Sequence, residues 1–330
     1  MSVLSHRLRA SAAALAVAAA LSATASSLAS AAEKVTYLLP APAFLPAFGP
    51  WMVALQRGYY AKDGLDVDFE AAKGGADSAK QVGAGNAVIG GALGDTPIIV
   101  RGNGVPVKLV AVLGDGGMMQ LVVHANSPIK GPADLKGKTV AIMSYQDTTY
   151  YALLGMLAKV GLTKNDIDAE PAGATNIWKL FLAGKADAMA SVPDWIADVE
   201  NNGAKVRIIP ADAYFPNMAQ AIVASDQTIK EKPELIRKLL QAPRHGLKDV
   251  IDDPQGAARD YVKAVPQNAG KEAQMTQVLE RYKKYVYKTQ KTLGEIDVKR
   301  LAEVENFYVK SGIVEKATPI NELYTEEFIK

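Results

Sequence analysis

The chain has 330 residues, 49% of them hydrophobic and 22% charged, with Lys+Arg 37 against Asp+Glu 35 and no cysteine. So even a balance argues against nucleic acid or a membrane surface as partner, and the missing thiol excludes a disulfide framework, a thiolate metal site and a cysteine nucleophile. The three histidines, His6, His124 and His245, are scattered, no Gly-x-Ser-x-Gly elbow occurs, and the start of a dinucleotide fingerprint at Gly83-Ala84-Gly85 meets Val88 where its third glycine belongs. No cofactor, metal or catalytic residue is therefore expected.

Residues 1–31 read as a cleaved export signal: Arg7 and Arg9 carry the charge, an Ala- and Leu-rich run spans Ser11 to Leu28, and Ala29-Ser30-Ala31 supplies small residues for cleavage. The run is too weakly apolar for a membrane span, so the chain is expected to be exported without direct membrane insertion. Val35 to Leu39 is then a strand ending in a Pro-punctuated loop, Pro40 to Pro46, and Gly49 to Tyr59 shows helical spacing of Trp51, Ala54 and Leu55. Further strands are predicted at Leu65–Phe69, Ala87–Leu93, Val107–Leu113 and Leu121–His124, with a short helix after Gly74-Gly75. Beyond the turn-rich segment Asn126–Lys138, a fresh series opens with the strand Thr139–Met143. It continues through a helix at Tyr150–Val160 and strands at Lys185–Ser191 and Val206–Ile209. Strands alternating with helices at these intervals predict an α/β protein of two domains. From Ile222 onward PELIRKLLQ, DDPQGAARDYVKAV, Glu272–Lys291 and Val298–Lys310 read as a helical tail.

Ligands of α/β sheets collect beyond the carboxyl ends of the strands, which selects the loops Pro42–Phe48, Gly74–Asp77, Gly94–Pro97, Ser144–Thr149, Pro193–Trp195 and Ala213–Phe215. Several of these loops carry helix-start chemistry, Ser, Thr or Asp ahead of the first turn and Pro97 at its beginning. Such residues are either plain caps or ligand donors. Converging, they make a small-molecule site whose free amides attract acceptors. The expected ligand-binding set is Phe44, Gly74, Gly75, Ala76, Asp95, Thr96, Ser144, Tyr145, Gln146, Asp147, Thr148, Asp194, Trp195 and Tyr214, with Ser144 as a cap and the aromatics as walls. These loops offer Asp77, Asp95, Asp147 and Asp194 but no Arg or Lys, so a ligand bearing amine or ring N–H donors fits better than a simple anion.

Four phrases in order, GYYAKDGLDVDF, GDTPIIVRGNGVPVKLVA, SPIKGPADLKGKTVAI and PELIRKLLQ with DDPQGAARDYVKAVP, resemble periplasmic substrate-binding proteins of ABC importers. The branch is the one that binds nitrate, sulfonates, taurine and thiamine-type pyrimidines. The resemblance implies a two-lobed type 2 periplasmic-binding-protein fold with a two-strand hinge and a helical C-terminal tail. Lobe 1 would be residues 32–124 plus 222–330 and lobe 2 residues 125–221, with hinges at His124–Asn126 and Ala221–Ala224. It also implies a monomer that delivers a small-molecule ligand to an ABC permease and its ATPase. Sulfonate binders share Gly94-Asp95-Thr96-Pro97 in kind, but carry small residues where this chain has Tyr145-Gln146-Asp147, so an aminopyrimidine, another heterocycle or taurine is favoured over other sulfonates. Two alternatives stand: a ligand-binding partner of a membrane sensor, and an enzyme like the thiamine-pyrimidine synthases, which work with histidine and a cysteine-rich motif.

Overall fold

The computed structural model describes residues 31–287 and 290–329, so the expected leader lies outside them except for Ala31. The strands are β1 (Glu33–Leu39), β2 (Leu65–Ala71), β3 (Ile89–Leu93), β4 (Val107–Leu113), β5 (Gln120–His124), β6 (Thr139–Ile142), β7 (Asp168–Pro171), β8 (Ala188–Ser191), β9 (Val206–Pro210) and β10 (Gln220–Ser225). They form two five-stranded sheets of order β2-β1-β3-β10-β4 and β7-β6-β8-β5-β9. β1 pairs with β3, and β6 with β7 and β8, in parallel, whereas β10 and β5 run against both of their neighbours. Central strands such as β3, β8 and β10 are buried along their whole length. That explains why their sequences are continuous small and apolar runs rather than alternating ones.

The expected boundaries shift. Gln120–His124 falls within the expected first lobe, but it pairs with β8 and β9 in the second sheet. Ala221–Ala224 lies inside β10, paired on both sides in the first sheet. The chain therefore crosses between sheets at residues 114–119 and returns at residues 211–219. The two crossings run beside each other: the Met118 amide donates to the Met218 carbonyl at 3.2 Å, and the Met119 amide to Asn217 Oδ1 at 3.0 Å. Arg300, from the tail helix Val298–Lys310, fixes the return segment by donating to the Asn217 carbonyl and to Asp212.

The tail supplies the outer layer. In the helix Pro233–Asp252 the buried residues Leu235, Ile236, Leu239, Leu240, Leu247 and Val250 follow helical spacing and face the helix Gly49–Gln56. Gly246 permits that contact, since a Cβ there would stand 1.9 Å from the Pro50 carbonyl oxygen. The helix Glu272–Tyr282 packs on the helix Pro193–Asn201 of the second half, so the tail touches both halves. Among the described residues no helix is long and apolar enough to cross a membrane.

Candidate ligand-binding cleft

A narrow cavity lies between the two sheets, with about 50 Å³ of space open to water-sized molecules, so a drug-sized ligand enters only when the two walls move apart. Its first wall comes from Pro40 and Ala41 after β1, from Leu45, Ala47, Phe48 and Trp51, from Gly75, from Gly91–Leu93 on β3, and from Gln220 and Ala221 on β10. The opposite wall is Met143 after β6, Asp147–Thr149, and Val192, Asp194 and Trp195 after β8, with Met118 contributed by the first crossing. The carboxyl ends of β1, β3, β6 and β8 thus converge on one space, as open α/β sheets require of a binding crevice.

The walls are drawn together by hydrogen bonds from half to half. The Ala76 amide donates to the Gln146 carbonyl at 3.0 Å, Thr96 Oγ1 lies 3.0 Å from Thr148 Oγ1, and Ser144 Oγ donates to the Lys73 carbonyl. Gly74 makes the approach possible: its φ of 129° belongs to glycine, and a Cβ would stand 2.5 Å from the Gln146 carbonyl oxygen. At Gly75 a Cβ would stand 2.2 Å from Thr148 Oγ1. On the far side Tyr282 donates to Asp194 Oδ1 at 2.8 Å and Arg281 pairs with Glu200.

The lining holds two buried carboxylates and no lysine or arginine. Burial raises the Asp194 carboxyl to about 6, against donation from Tyr282 and the amides of Asp194, Trp195 and Ala47. One turn on, burial and then the Asp194 charge lift Asp198 to about 7. Burial also raises Asp147, opposed by the Thr149 hydroxyl and by the amides of Thr149, Thr148 and Gly75, the last from the other half. Three polar atoms that belong to lining residues, Trp51 Nε1, Trp195 Nε1 and Asp194 Oδ2, are themselves fully buried without a protein hydrogen-bond partner. Two are donors and one an acceptor, and buried polar groups of this kind are costly unless something pairs with them.

The raised carboxyl has a direct consequence for stability. A folded value of about 6 against an ordinary 3.8 means that Asp194 favours the fold fully below about pH 4, and that the contribution is lost as pH rises through about 6. Its size is about 3 kcal/mol at most. Asp194→Asn should remove that slope, so urea unfolding across this window should show the variant gaining on the wild type as pH rises.

Of the sequence-predicted residues, Gly75, Asp147, Thr148, Asp194 and Trp195 line the cavity. Gly74, Ala76, Thr96, Ser144 and the Gln146 carbonyl form the closing contacts beside it. The remaining four lie elsewhere. Asp95 is buried behind the wall, where its Oδ2 accepts from Tyr308 of the tail at 2.6 Å and burial raises it to about 6. Tyr145 is 49% exposed and donates to the Ala169 carbonyl, outside the cavity. Phe44 is 36% exposed with its carbonyl held by Asn268, and Tyr214 sits beside Gly131. The helix begins at Thr148 with Asp147 before it, so Ser144 is not its cap. Sequence reasoning missed Phe48, Trp51, Met118 and Met143, because apolar residues at a wall look like core residues, and Gln220, because it opens the otherwise small and apolar strand β10. Gly137-Lys138-Thr139 has the composition of a phosphate-loop triplet, but it leads into the strand β6, so it makes no helix-start cradle.

The family described as NMT1/THI5 like matches residues 45–257. The riboflavin-binding protein RibY of Chloroflexus aurantiacus is 25% identical over 88% of this chain and 85% of its own length. The 4-amino-5-hydroxymethyl-2-methylpyrimidine phosphate synthase THI13 of Saccharomyces cerevisiae is 23% identical over 71% of this chain and 72% of its own. Among solved structures, the alkanesulfonate-binding protein SsuA of Xanthomonas axonopodis pv. citri, bound to MOPS, superposes with a TM-score of 0.71 at 17% identity, covering 90% of this chain and 98% of that one. At that identity the likeness is one of fold, the two-lobed α/β arrangement of type 2 periplasmic binding proteins.

Proposed function

Because the chain belongs to the NMT1/THI5-like family, we infer that it is an exported solute-binding protein that closes its two lobes over a small nitrogen heterocycle. It then hands the ligand to an ABC permease driven by its ATPase, and it does so as a monomer. The observation that carries this reading is a lining of aromatic rings and two carboxylates without lysine or arginine, whose residues hold three buried, unpartnered polar atoms, Trp51 Nε1, Trp195 Nε1 and Asp194 Oδ2, for an opened cleft to present. An aromatic ring with N–H donors and carbonyl or ring-nitrogen acceptors pairs with all three kinds, and Phe48, Trp51, Met118 and Trp195 offer it flat or polarisable surface. Residues 114–119 and 211–219 serve as the hinge, and lobe 1 comprises the first sheet with the tail. Closure is a population shift driven by contacts made to both lobes at once.

The relatives' names support a ring ligand, since one is named for binding riboflavin and the other for synthesising a pyrimidine phosphate. An enzyme reading finds little in this cavity. There is no cysteine in the chain, His124 stacks on Phe181 at 4.2 Å, and His245 packs against Tyr59, neither on the lining.

Tryptophan fluorescence tests the reading, since Trp51 and Trp195 lie on the wall and Trp178 does not. In a Trp178→Phe background, an aminopyrimidine or riboflavin should quench the emission saturably with one-to-one stoichiometry. A response to alkanesulfonates alone, or to none of these, would contradict it.

A further inference from the structure

We propose that Asp147 is the specificity-determining residue of the cleft, an anion supplied by the chain itself that turns away ligands bearing a sulfonate, phosphate or carboxylate. The inference rests on reading the cavity as the ligand site. Two helices of different lobes begin here, Gly75–Gly83 and Thr148–Lys159, and their first turns almost touch: a Cβ on Gly75 would meet Thr148 Oγ1, and one on Gly74 would stand 2.6 Å from Asp147 N. Opposed helix starts are an arrangement suited to a bound anion.

In this chain the place is already taken. Asp147 is a lining residue, 6% exposed, that stands directly before the helix Thr148–Lys159 and against Gly74 of the other half, and whose carboxylate accepts from the Thr149 hydroxyl. A carboxylate that belongs to the protein thus stands where the two helix starts meet. An incoming anion would meet Asp147 and, on the same lining, Asp194, with no lysine or arginine to offset them. The lining residues Trp51 and Trp195 carry neutral, unpartnered N–H groups, which suit a ring acceptor rather than an anion. A neutral or cationic molecule leaves the Asp147 contacts intact, whereas an anionic one has to displace or neutralise them.

The test is calorimetric titration of the wild type, Asp147→Asn and Asp147→Gly with MOPS and methanesulfonate, alongside the fluorescence titration with ring probes. Circular dichroism and the thermal midpoint confirm folding, and the isosteric asparagine variant carries the test if the glycine variant does not fold. Either variant should bind the sulfonates at least about tenfold more tightly than the wild type. Sulfonate binding by the wild type equal to that of the variants, or no gain in either variant, overturns the role of Asp147. If the gain appears but no ring probe binds the wild type, the ring-ligand reading fails while the role of Asp147 stands.

Discussion

Gly75→Ala is expected to leave the fold intact and to weaken ligand binding by about ten- to hundredfold. Gly75 opens the helix Gly75–Gly83 with a backbone that a side chain can adopt, so alanine introduces no φ strain and a helical position gains up to about 1 kcal/mol from the exchange. The added methyl has nowhere to go once the lobes close. It would stand 2.2 Å from Thr148 Oγ1 of the other lobe and 3.4 Å from Thr96 Oγ1. Thr148 is β-branched and wholly buried, which leaves it few rotamers in which to retreat. The lobes must therefore stop short of contact, losing the hydroxyl pair of Thr96 and Thr148 and the closing bond from Ala76 to Gln146. Overpacking of this kind costs about 1–3 kcal/mol, the upper end of which is about a hundredfold in affinity. Small-angle scattering should show ligand-induced compaction in the wild type and none in the variant, while the thermal midpoint of the ligand-free protein stays level or rises. A midpoint that falls with affinity unchanged would show that Gly75 serves packing within one lobe.

Trp51→Phe and Trp195→Phe are expected to separate stability from binding in the same manner. Each keeps an aromatic ring in a buried wall, Trp51 at 1% and Trp195 at 3% exposure, and removes an N–H that no protein acceptor meets. Deleting an unpartnered donor leaves the ligand-free protein within about 1 kcal/mol of the wild type. Binding should weaken by about ten- to hundredfold, because the ligand's acceptor enters a buried site without its partner, at about 1–3 kcal/mol. Trp51 also packs edge-on against Tyr37 and Phe48, so a small loss from repacking is expected there and not at Trp195. Chemical unfolding and ligand titration on the same preparations check both halves of the expectation. A large stability loss with unchanged affinity would make the two rings ordinary core.

Much of the fold could be read in the sequence, because strand and helix periods and turn residues are local signals. The interval between β-rich runs predicted two α/β halves, and the helical spacing of Leu235, Ile236, Leu239 and Leu240 predicted the tail. The crossings could not be read that way. β5 and β10 are inserted between strands of their sheets and run against their neighbours, so chain order places them one lobe away from where they pair. The turn-rich segment after β5 has the look of a boundary, whereas the true passage at residues 114–119 has only three glycines, Asp115 and two methionines to mark it.

At the site, the polar loop residues could be found because helix starts have a recognisable chemistry. Asp147, Thr148 and Asp194 were found this way and do line the cavity. Asp95 has the same chemistry at the same kind of loop, yet a tyrosine more than two hundred positions later, Tyr308, holds it behind the wall. Phe48, Trp51 and Met118 carry no signal that separates a cavity wall from a core, since both require apolar bulk. Only the meeting of the lobes distinguishes them.

In the proposed function the cleft recognises a neutral or cationic nitrogen heterocycle through Trp51, Trp195 and Asp194, with Asp147 excluding anions. Native mass spectrometry of the gently purified protein tests it most directly. The expected result is a one-to-one complex whose released small molecule is such a heterocycle, lost or much reduced in Trp195→Phe. Release of a sulfonate, nitrate or other strongly acidic molecule, retained by Trp195→Phe, would contradict it.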